Sequence, residues 1–382
     1  MKNLKEGDFK NKKVLVRCDF NVAVGEDGKI ADDFRIVGTL PTIKFLIKKG
    51  AAVILMSHLE NNDGVPVSLR PVASSLGKML GCPVKFLNDC FGGKIKKEIA
   101  RAKPGQVILL ENLRFHKEEK ANDPEFARQI AEMGDCYVNE AFSCSHRAHA
   151  SIVGIPRYLP AYAGLLLEEE IANLQKILKK PRHPFTVIIG GIKVDTKIRA
   201  IANFAKIADH ILIGSKLGAI ILAQKQQYPG QETVKKDPAA GAVDLTSSKI
   251  NLPIDGVLAL KDRSEGYLRV AGVGTMRREE EVYDIGPETA KFFAEIIKES
   301  KTIFFNGPMG MFEEREFSAG TRAVVEAIAQ ARGAYRVAGG GQTLEAIRKY
   351  KAQNDFDFLS TGGGAMLEYL SGKELPGIKA LN

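Results

Sequence analysis

From Val14 onward the chain repeats one pattern: a short run rich in Val, Ile and Leu, a loop, then an amphipathic stretch of helical spacing. Apolar runs this short and this uninterrupted read as strands buried on both faces. Helices between them make the strands parallel, because a helical crossover carries the chain back to the starting edge of the sheet. In the first half the predicted strands are Val14–Phe20, Ala52–Ser57, Val84–Leu87, Gln106–Glu111 and Cys136–Ala141, with helices over Ile36–Lys48 and Asp123–Met133. In the second half they are Phe185–Ile189, His210–Ile213, Gly256–Leu260, Thr302–Phe305, Tyr335–Ala338 and Phe358–Ser360. A helix over Pro287–Ser300 opens on Pro and Glu and carries Lys298 near its end, as the helix dipole favours.

Between the halves, Leu166, Ile171, Leu174, Ile177 and Leu178 fall at helical spacing until Pro181 and Pro184 stop the pattern. The stretch Gln224–Lys249 is polar, with Pro and Gly, and reads as a surface excursion. The expectation is an α/β chain of two Rossmann-like domains, each a parallel sheet flanked by helices, joined by an interdomain helix and hinge. A length of 382 residues, 45% of them hydrophobic, suffices for two cores.

The balance of 55 Lys and Arg against 46 Asp and Glu gives a net charge of +9, which attracts anions. The basic residues are dispersed rather than gathered into a stripe, which argues against nucleic acid. Five cysteines, none in a C-x-x-C pair, argue against a disulfide framework or a structural zinc site and for a reducing cytoplasm. The opening MKNLKEGDFK has no apolar signal segment, and no apolar run approaches the roughly 18 residues needed to cross a bilayer, so no membrane partner is expected.

In open parallel sheets ligands bind at the carboxyl ends of the strands. In the first half these ends deliver Arg17, Asp19 and Asn21, then Ser57 and His58, Asn112 and Arg114, and Asn139, with His146, Arg147 and His149 just beyond and Arg35 before the first helix. Several guanidinium groups on one edge suit a small polyanion, whose phosphate or carboxylate oxygens they bind in pairs. In the second half the ends deliver Gly190-Gly191, Gly214-Ser215, Asn306-Gly307-Pro308, Gly339-Gly340-Gly341 and Thr361-Gly362-Gly363-Gly364. Such loops let backbone N–H groups approach a phosphate chain or a flat base, so a nucleotide is the natural guest. There is neither a G-x-x-x-x-G-K-[ST] run nor a G-x-G-x-x-G after a strand. Lys193 and Lys197, four apart after Gly190-Gly191, would share one helix face near the phosphates. The two edges together suggest phosphoryl transfer between a nucleotide and a small anionic substrate.

The stretches VLVRCDFNV, DDFRI, LLENLRFHKEE, YVNEAF, HRAHAS, GGIKVDTKI, DIGP, FNGPMGMFE, GGGQT and STGGGAMLEYL resemble those of the phosphoglycerate kinase family, in family order and over most of the chain outside Gln224–Arg278. The resemblance implies reversible transfer of the acyl phosphate of 1,3-bisphosphoglycerate to Mg-ADP, giving 3-phosphoglycerate and ATP, with Mg2+ as cofactor and a monomeric, cytoplasmic enzyme. It implies that Asp19, Phe20, Asn21, Arg35, His58, Leu59, Asn61, Arg114, His146 and Arg147 bind the phosphoglycerate. Arg35, Lys193, Lys197, Gly340 and Gly363 would surround the transferring phosphoryl group. The nucleotide would fall to Gly191, Lys197, Gly214, Asn306, Glu313, Gly339, Gly340, Gly341, Gln342 and Thr343. The implied boundaries are 1–164 for a phosphoglycerate-binding domain, 165–180 for the joining helix, 181–366 for a nucleotide-binding domain and 367–382 for a segment returning to the first domain.

Four departures from the family pattern stand out. Glu60-Asn61-Asn62 replaces G-R-P, removing an arginine and adding a carboxylate. Gln342 stands where an aspartate normally helps hold Mg2+, and Thr196 replaces another aspartate, with Asp195 beside it. IGSKLGA replaces a glycine-rich IGGGMA, and Val282 replaces a glycine, so the base pocket is reshaped. These leave open an alternative, a catalytically weakened nucleotide-binding homologue with a binding or regulatory role.

Overall fold

The runs AVILM at Ala52–Met56 and FTVII at Phe185–Ile189 have every residue buried, and each lies inside a parallel sheet. The computed structural model describes residues 1–25, 28–61, 63–191, 194–224, 247–262, 266–272 and 275–382, without the side chains of 194–196, 215 and 222–224. Lys193, Asn62 and most of the excursion expected over Gln224–Lys249 therefore lie outside the described residues, as do the side chains of Asp195 and Thr196.

The chain divides into two units, Met1–Ala172 with Glu374–Asn382, and Asn173–Lys373. The first contains β1 (Lys13–Arg17), β2 (Ala52–Met56), β3 (Val84–Phe86), β4 (Val107–Leu109), β5 (Cys136–Asn139) and β6 (Ala161–Ala163), in the order β3-β4-β2-β1-β5-β6. All five pairings are parallel. The helix Phe34–Lys48 covers one face, burying Ile36, Ile43 and Leu46 in a core with Val14, Val16, Val53 and Leu55. At about 1.5–3 kcal/mol for each large aliphatic group withdrawn from water, this layer is the main force holding the sheet.

The second unit runs β7 (Phe185–Ile189), β8 (His210–Ile213) and β9 (Ile250–Asn251), then β10 (Asp255–Leu260), β11 (Leu268–Gly272) and β12 (Glu280–Ile285), then β13 (Thr302–Asn306), β14 (Tyr335–Gly339) and β15 (Phe358–Ser360). Its parallel sheet has the order β15-β14-β13-β7-β8-β9. Helix Pro287–Glu299 packs Phe293 and Ile297 against Ile303 and Phe305 of β13. The helix Leu165–Lys179 carries the boundary between the two units, after Ala172. Within the first unit, Gly377 N–H donates to Ser145 O at 2.8 Å, which ties down the C-terminal residues.

Two differences from the sequence pattern have physical causes. The stretch around Gly256–Leu260 is a strand, but it belongs to an antiparallel sheet β11-β10-β12 rather than to the parallel one. Its partners are poor sequence signals, since β11 alternates exposed and half-buried residues and β12 opens on two glutamates. The expected strand over Val14–Phe20 stops at Arg17, although Cys18 and Phe20 remain buried, because apolarity marks burial and not ladder bonding. Among the described residues no helix is long and apolar enough to cross a membrane, and all five cysteines are unpaired.

Candidate active site

In the first unit the loop after β1 presents Asp19, buried beside Arg35 (Nη1 to Oδ2, 3.3 Å) and accepting hydrogen bonds from Ser143 Oγ and from Asn21 N–H at 3.0 Å. Burial pushes the Asp19 carboxyl up, but Arg35, His58, Ser143 and the Asn21 N–H together hold it below the usual carboxylate range. Arg35, on the first turn of its helix, also donates to Asn21 O at 2.6 Å, so its guanidinium is fixed over that loop.

His58 follows β2 and is buried 3.3 Å from Arg17 Nη2; burial, then Arg17, Arg114 and Arg147, press its imidazole well below the ordinary value. His149 is held at about 3 by burial and by Arg114, Arg147, Arg17 and Lys120. Both rings are therefore neutral at neutral pH, and the same arginines act on both. Arg114 is buried, and its Nε and Nη1 have no hydrogen-bond partner among the described residues. Buried guanidinium donors left unmatched are costly unless a ligand completes them. The nearest carboxylate is Glu60, with Oε1 3.9 Å from Arg114 Nε and 3.2 Å from Lys120 Nζ. Arg147 is exposed and rests against His146 (Nε to Nε2, 3.3 Å).

Not every strand-end residue faces the ligand side. Arg17 is wholly buried, donating through Nε to Ser151 Oγ at 2.8 Å, and that hydroxyl donates to Glu119 at 2.6 Å. Asn112 donates to Leu59 O and Val67 O at 2.6 and 2.7 Å, holding the loop that carries Glu60. Asn139 ties β5 to Ser145 and Gly377. Phe20 and Leu59 have their side chains in the core. The Asn61 carboxamide oxygen accepts from Asp63 N–H and Val65 N–H, so it shapes its own turn. Ser143, Glu119 and Ser151 were not singled out by sequence; buried hydroxyls and carboxylates that act through an arginine leave no spacing signal.

In the second unit the carboxyl ends of β7, β13, β14 and β15 meet. Lys197 is buried and donates through Nζ to Gly190 O. Gly191 (φ 80°) and Gly307 (φ 91°) hold left-handed conformations beside that ammonium, and a methyl group at Gly307 would also press on the Gly190 backbone, 2.6 Å from its carbonyl carbon. Asn306 Nδ2 donates to Gly339 O at 2.6 Å, and Gly307 N–H donates to Thr343 Oγ1 at 2.7 Å, locking the β13 and β14 loops together. Gly340 (φ 104°) caps the helix Gly341–Lys349, and a Cβ on Gly363, at the start of the helix Gly363–Leu370, would come 3.1 Å from Gly340 Cα. Two helix N-termini thus converge with one ammonium, a cradle for phosphate oxygens.

Beside the cradle lies a cavity of about 320 Å3, with Met309 and Met311 as apolar wall, Gly191, Val282 and Gln342 in its lining, and Glu313 within reach of Gln342 (Nε2 to Oε1, 3.4 Å). Lys216, at the start of helix Ser215–Gln224, and Glu281 on β12 form an ion pair of 2.7 Å in the same lining. Gly214 sits behind it, where a Cβ would be 3.3 Å from Met309 Cε. Among the described residues of this unit no three His, Cys, Asp or Glu groups converge as ligands for an ion. Gln342, expected to stand where an aspartate would help hold magnesium, lies in the lining of this cavity beside Glu313.

The family model of phosphoglycerate kinase matches residues 4–373. The chain is 44% identical to the phosphoglycerate kinase of Dictyoglomus turgidum, over 99% of this chain and 98% of the relative, and 44% identical to that of Moorella thermoacetica over the same shares. Among solved structures, the phosphoglycerate kinase of Pyrococcus horikoshii OT3 matches with a TM-score of 0.87 at 32% identity, covering 100% of this chain and 98% of that one. The phosphoglycerate kinase of Coxiella burnetii matches with a TM-score of 0.82 at 35% identity, covering 99% and 98%.

Proposed function

The chain belongs to the phosphoglycerate kinase family, a nucleotide-binding kinase of glycolysis, and from that premise we propose which edge of the molecule holds which substrate. The cationic edge of the first unit takes 3-phosphoglycerate or 1,3-bisphosphoglycerate, through Arg35, Arg114 and Arg147, with Asp19, Asn21, His58 and His146 orienting them. Phe20, Leu59 and Asn61 support the loops. The glycine-rich edge of the second unit takes ADP or ATP: Gly339, Gly340, Gly341 and Thr343 around the phosphates, Gly191, Gly214 and Asn306 beside them, Glu313 at the ribose. The observation that carries this reading is the buried Arg114, whose two unmatched donors call for an anion.

The reaction we assign is reversible transfer of an acyl phosphate to ADP, with a carboxylate as acceptor in the reverse direction. The accepting oxygen is already ionised, so no general base is required, and catalysis reduces to alignment and charge neutralisation. Lys197, the N–H groups at Gly340 and Gly363, and Arg35 neutralise the transferring group, and Lys193 joins them through its place in GGIKVDTKI. Magnesium, bound with the nucleotide, screens its phosphate charge. Exclusion of water from the transferring group belongs to the same reading, because water would hydrolyse the acyl phosphate. The free cysteines suit a reducing cytoplasm, and the family resemblance suggests a monomer. The alternative of a weakened binding homologue is not favoured by the comparisons.

The test is a coupled assay of the purified chain with 3-phosphoglycerate and Mg-ATP, with Lys197→Ala as control. Turnover lost in the variant supports the assignment. No turnover by the parent at saturating substrates, with ATP still bound in a calorimeter, would overturn it.

A further inference from the structure

The cavity beside the phosphate cradle has apolar walls suited to a flat ring and one charged pair, Lys216–Glu281, in its lining. Resting on the nucleotide reading above, we propose that this pair reads the hydrogen-bonding edge of the base and makes guanine nucleotides substrates at least as good as adenine ones.

The argument is one of complementary donors and acceptors. The two side chains are partly accessible, 44% for Lys216 and 27% for Glu281, so a ligand can reach both. An ammonium has three donors and a carboxylate about four acceptor sites, so the 2.7 Å contact between them does not exhaust either. Guanine presents one acceptor, O6, beside two donors, N1–H and the N2 amino group. A carboxylate accepts both donors in a paired fashion while an adjacent ammonium donates to O6, giving three charge-assisted hydrogen bonds. Adenine offers only an amino donor and the N1 acceptor, and so makes two. A pyrimidine has too little reach across a wall built from Met309 and Met311. Strand alternation supports the placement, since Glu280, on the opposite face of β12, is buried against Arg269 at 2.6 Å while its neighbour Glu281 turns to the cavity. Lys216 belongs to the IGSKLGA run in which the family pattern is glycine-rich, so the ammonium is a feature of this chain.

The experiment measures kcat/KM for Mg-GTP and Mg-ATP with 3-phosphoglycerate on the full chain, and Kd for GDP and ADP by calorimetry, in the parent and in Glu281→Gln. The expected result is GTP within threefold of ATP or better. In Glu281→Gln, which keeps one acceptor of the pair, the GTP/ATP ratio should fall about tenfold, the loss of a single hydrogen bond to a charged group. GTP poorer than ATP by more than threefold in the parent, or an unchanged ratio in the variant, overturns the proposal while leaving the nucleotide site intact. Neither ADP nor GDP binding would overturn the nucleotide reading itself. Should turnover be too slow to measure, the GDP/ADP ratio of Kd values decides by the same limits, and the parent's ratio decides if the variant fails to fold.

Discussion

In the first unit the groups we propose to face an anion are side chains, and each is held by a neighbour: Arg35 by Asn21 O and Asp19, Asp19 by Ser143, Arg114 by its place between Glu60 and His149. In the second unit the groups proposed for that part are backbone N–H groups at Gly340 and Gly363, with one buried ammonium held on the backbone of Gly190. A site of paired side chains can be tuned by adding or removing one charge. A site of backbone is set by chain geometry, and its variation moves to the wall, as at Gln342, Lys216 and Val282. The expected departures from the family pattern include an added carboxylate among the cations of the first unit and, in the second, Gln342 and Val282 in the lining of the cavity.

The sharpest way to break the comparison is to remove one cation from each edge. Lys197→Ala should lower kcat about 100- to 1,000-fold, the usual effect of deleting one preorganised group at developing charge, with little change in 3-phosphoglycerate affinity by calorimetry. Arg114→Ala should instead raise the KM for 3-phosphoglycerate about 10- to 100-fold, since hydrogen bonds to a charged group are worth about 1.5–3 kcal/mol, while the Kd for ADP stays within twofold. If both variants shift both substrates alike, the division of labour between the edges is wrong.

A smaller effect probes the added carboxylate. Glu60 Oε1 sits 3.9 Å from Arg114 and 3.2 Å from Lys120, a position from which it would compete with an incoming anion. Neutralising it in Glu60→Gln should lower the KM for 3-phosphoglycerate about threefold, within the range measured for partly exposed ion pairs. A rise in KM would mean that Glu60 orients Arg114 rather than competing with the substrate.

Much of this was legible because strand ends fall where short apolar runs stop. His210–Ile213 and Phe358–Ser360 match their sequence limits, and the glycine clusters at 339–341 and 362–364 announced two helix N-termini. What stayed hidden depends on contacts distant in sequence. Arg17 reads like a ligand-facing cation until Ser151 and Glu119, more than a hundred residues on, are seen to bury it. Asn112 and Asn139 read like polar site residues, yet their carboxamides hold loops. The antiparallel sheet escaped because β11 has one face in water and no continuous apolar run. The Lys216–Glu281 pair joins residues far apart in the sequence that no spacing rule connects.

The smallest expected effect concerns the charge field of the first edge. His149 is held at about 3, below its ordinary 6.5, by burial and then by Arg114, Arg147, Arg17 and Lys120. Between those values the unfolded chain binds a proton that the folded chain refuses, so the stability this ring contributes is present above about 6.5 and is lost as the pH falls toward 3. Glu140 works with the opposite sign in the same unit: burial raises its carboxyl to about 8, and its contribution is lost as the pH rises through that value. The whole-protein melting curve mixes the two, and only a difference between proteins isolates the histidine. His149→Gln should therefore lose less Tm than the parent between pH 7 and pH 4.5, and a saturating phosphate-bearing ligand, by offsetting the arginines, should narrow the same gap in the parent. Equal losses in parent and variant would show that neither burial nor the arginine field depresses His149, and the anion-binding edge would then rest on Arg114 and Arg35 without it.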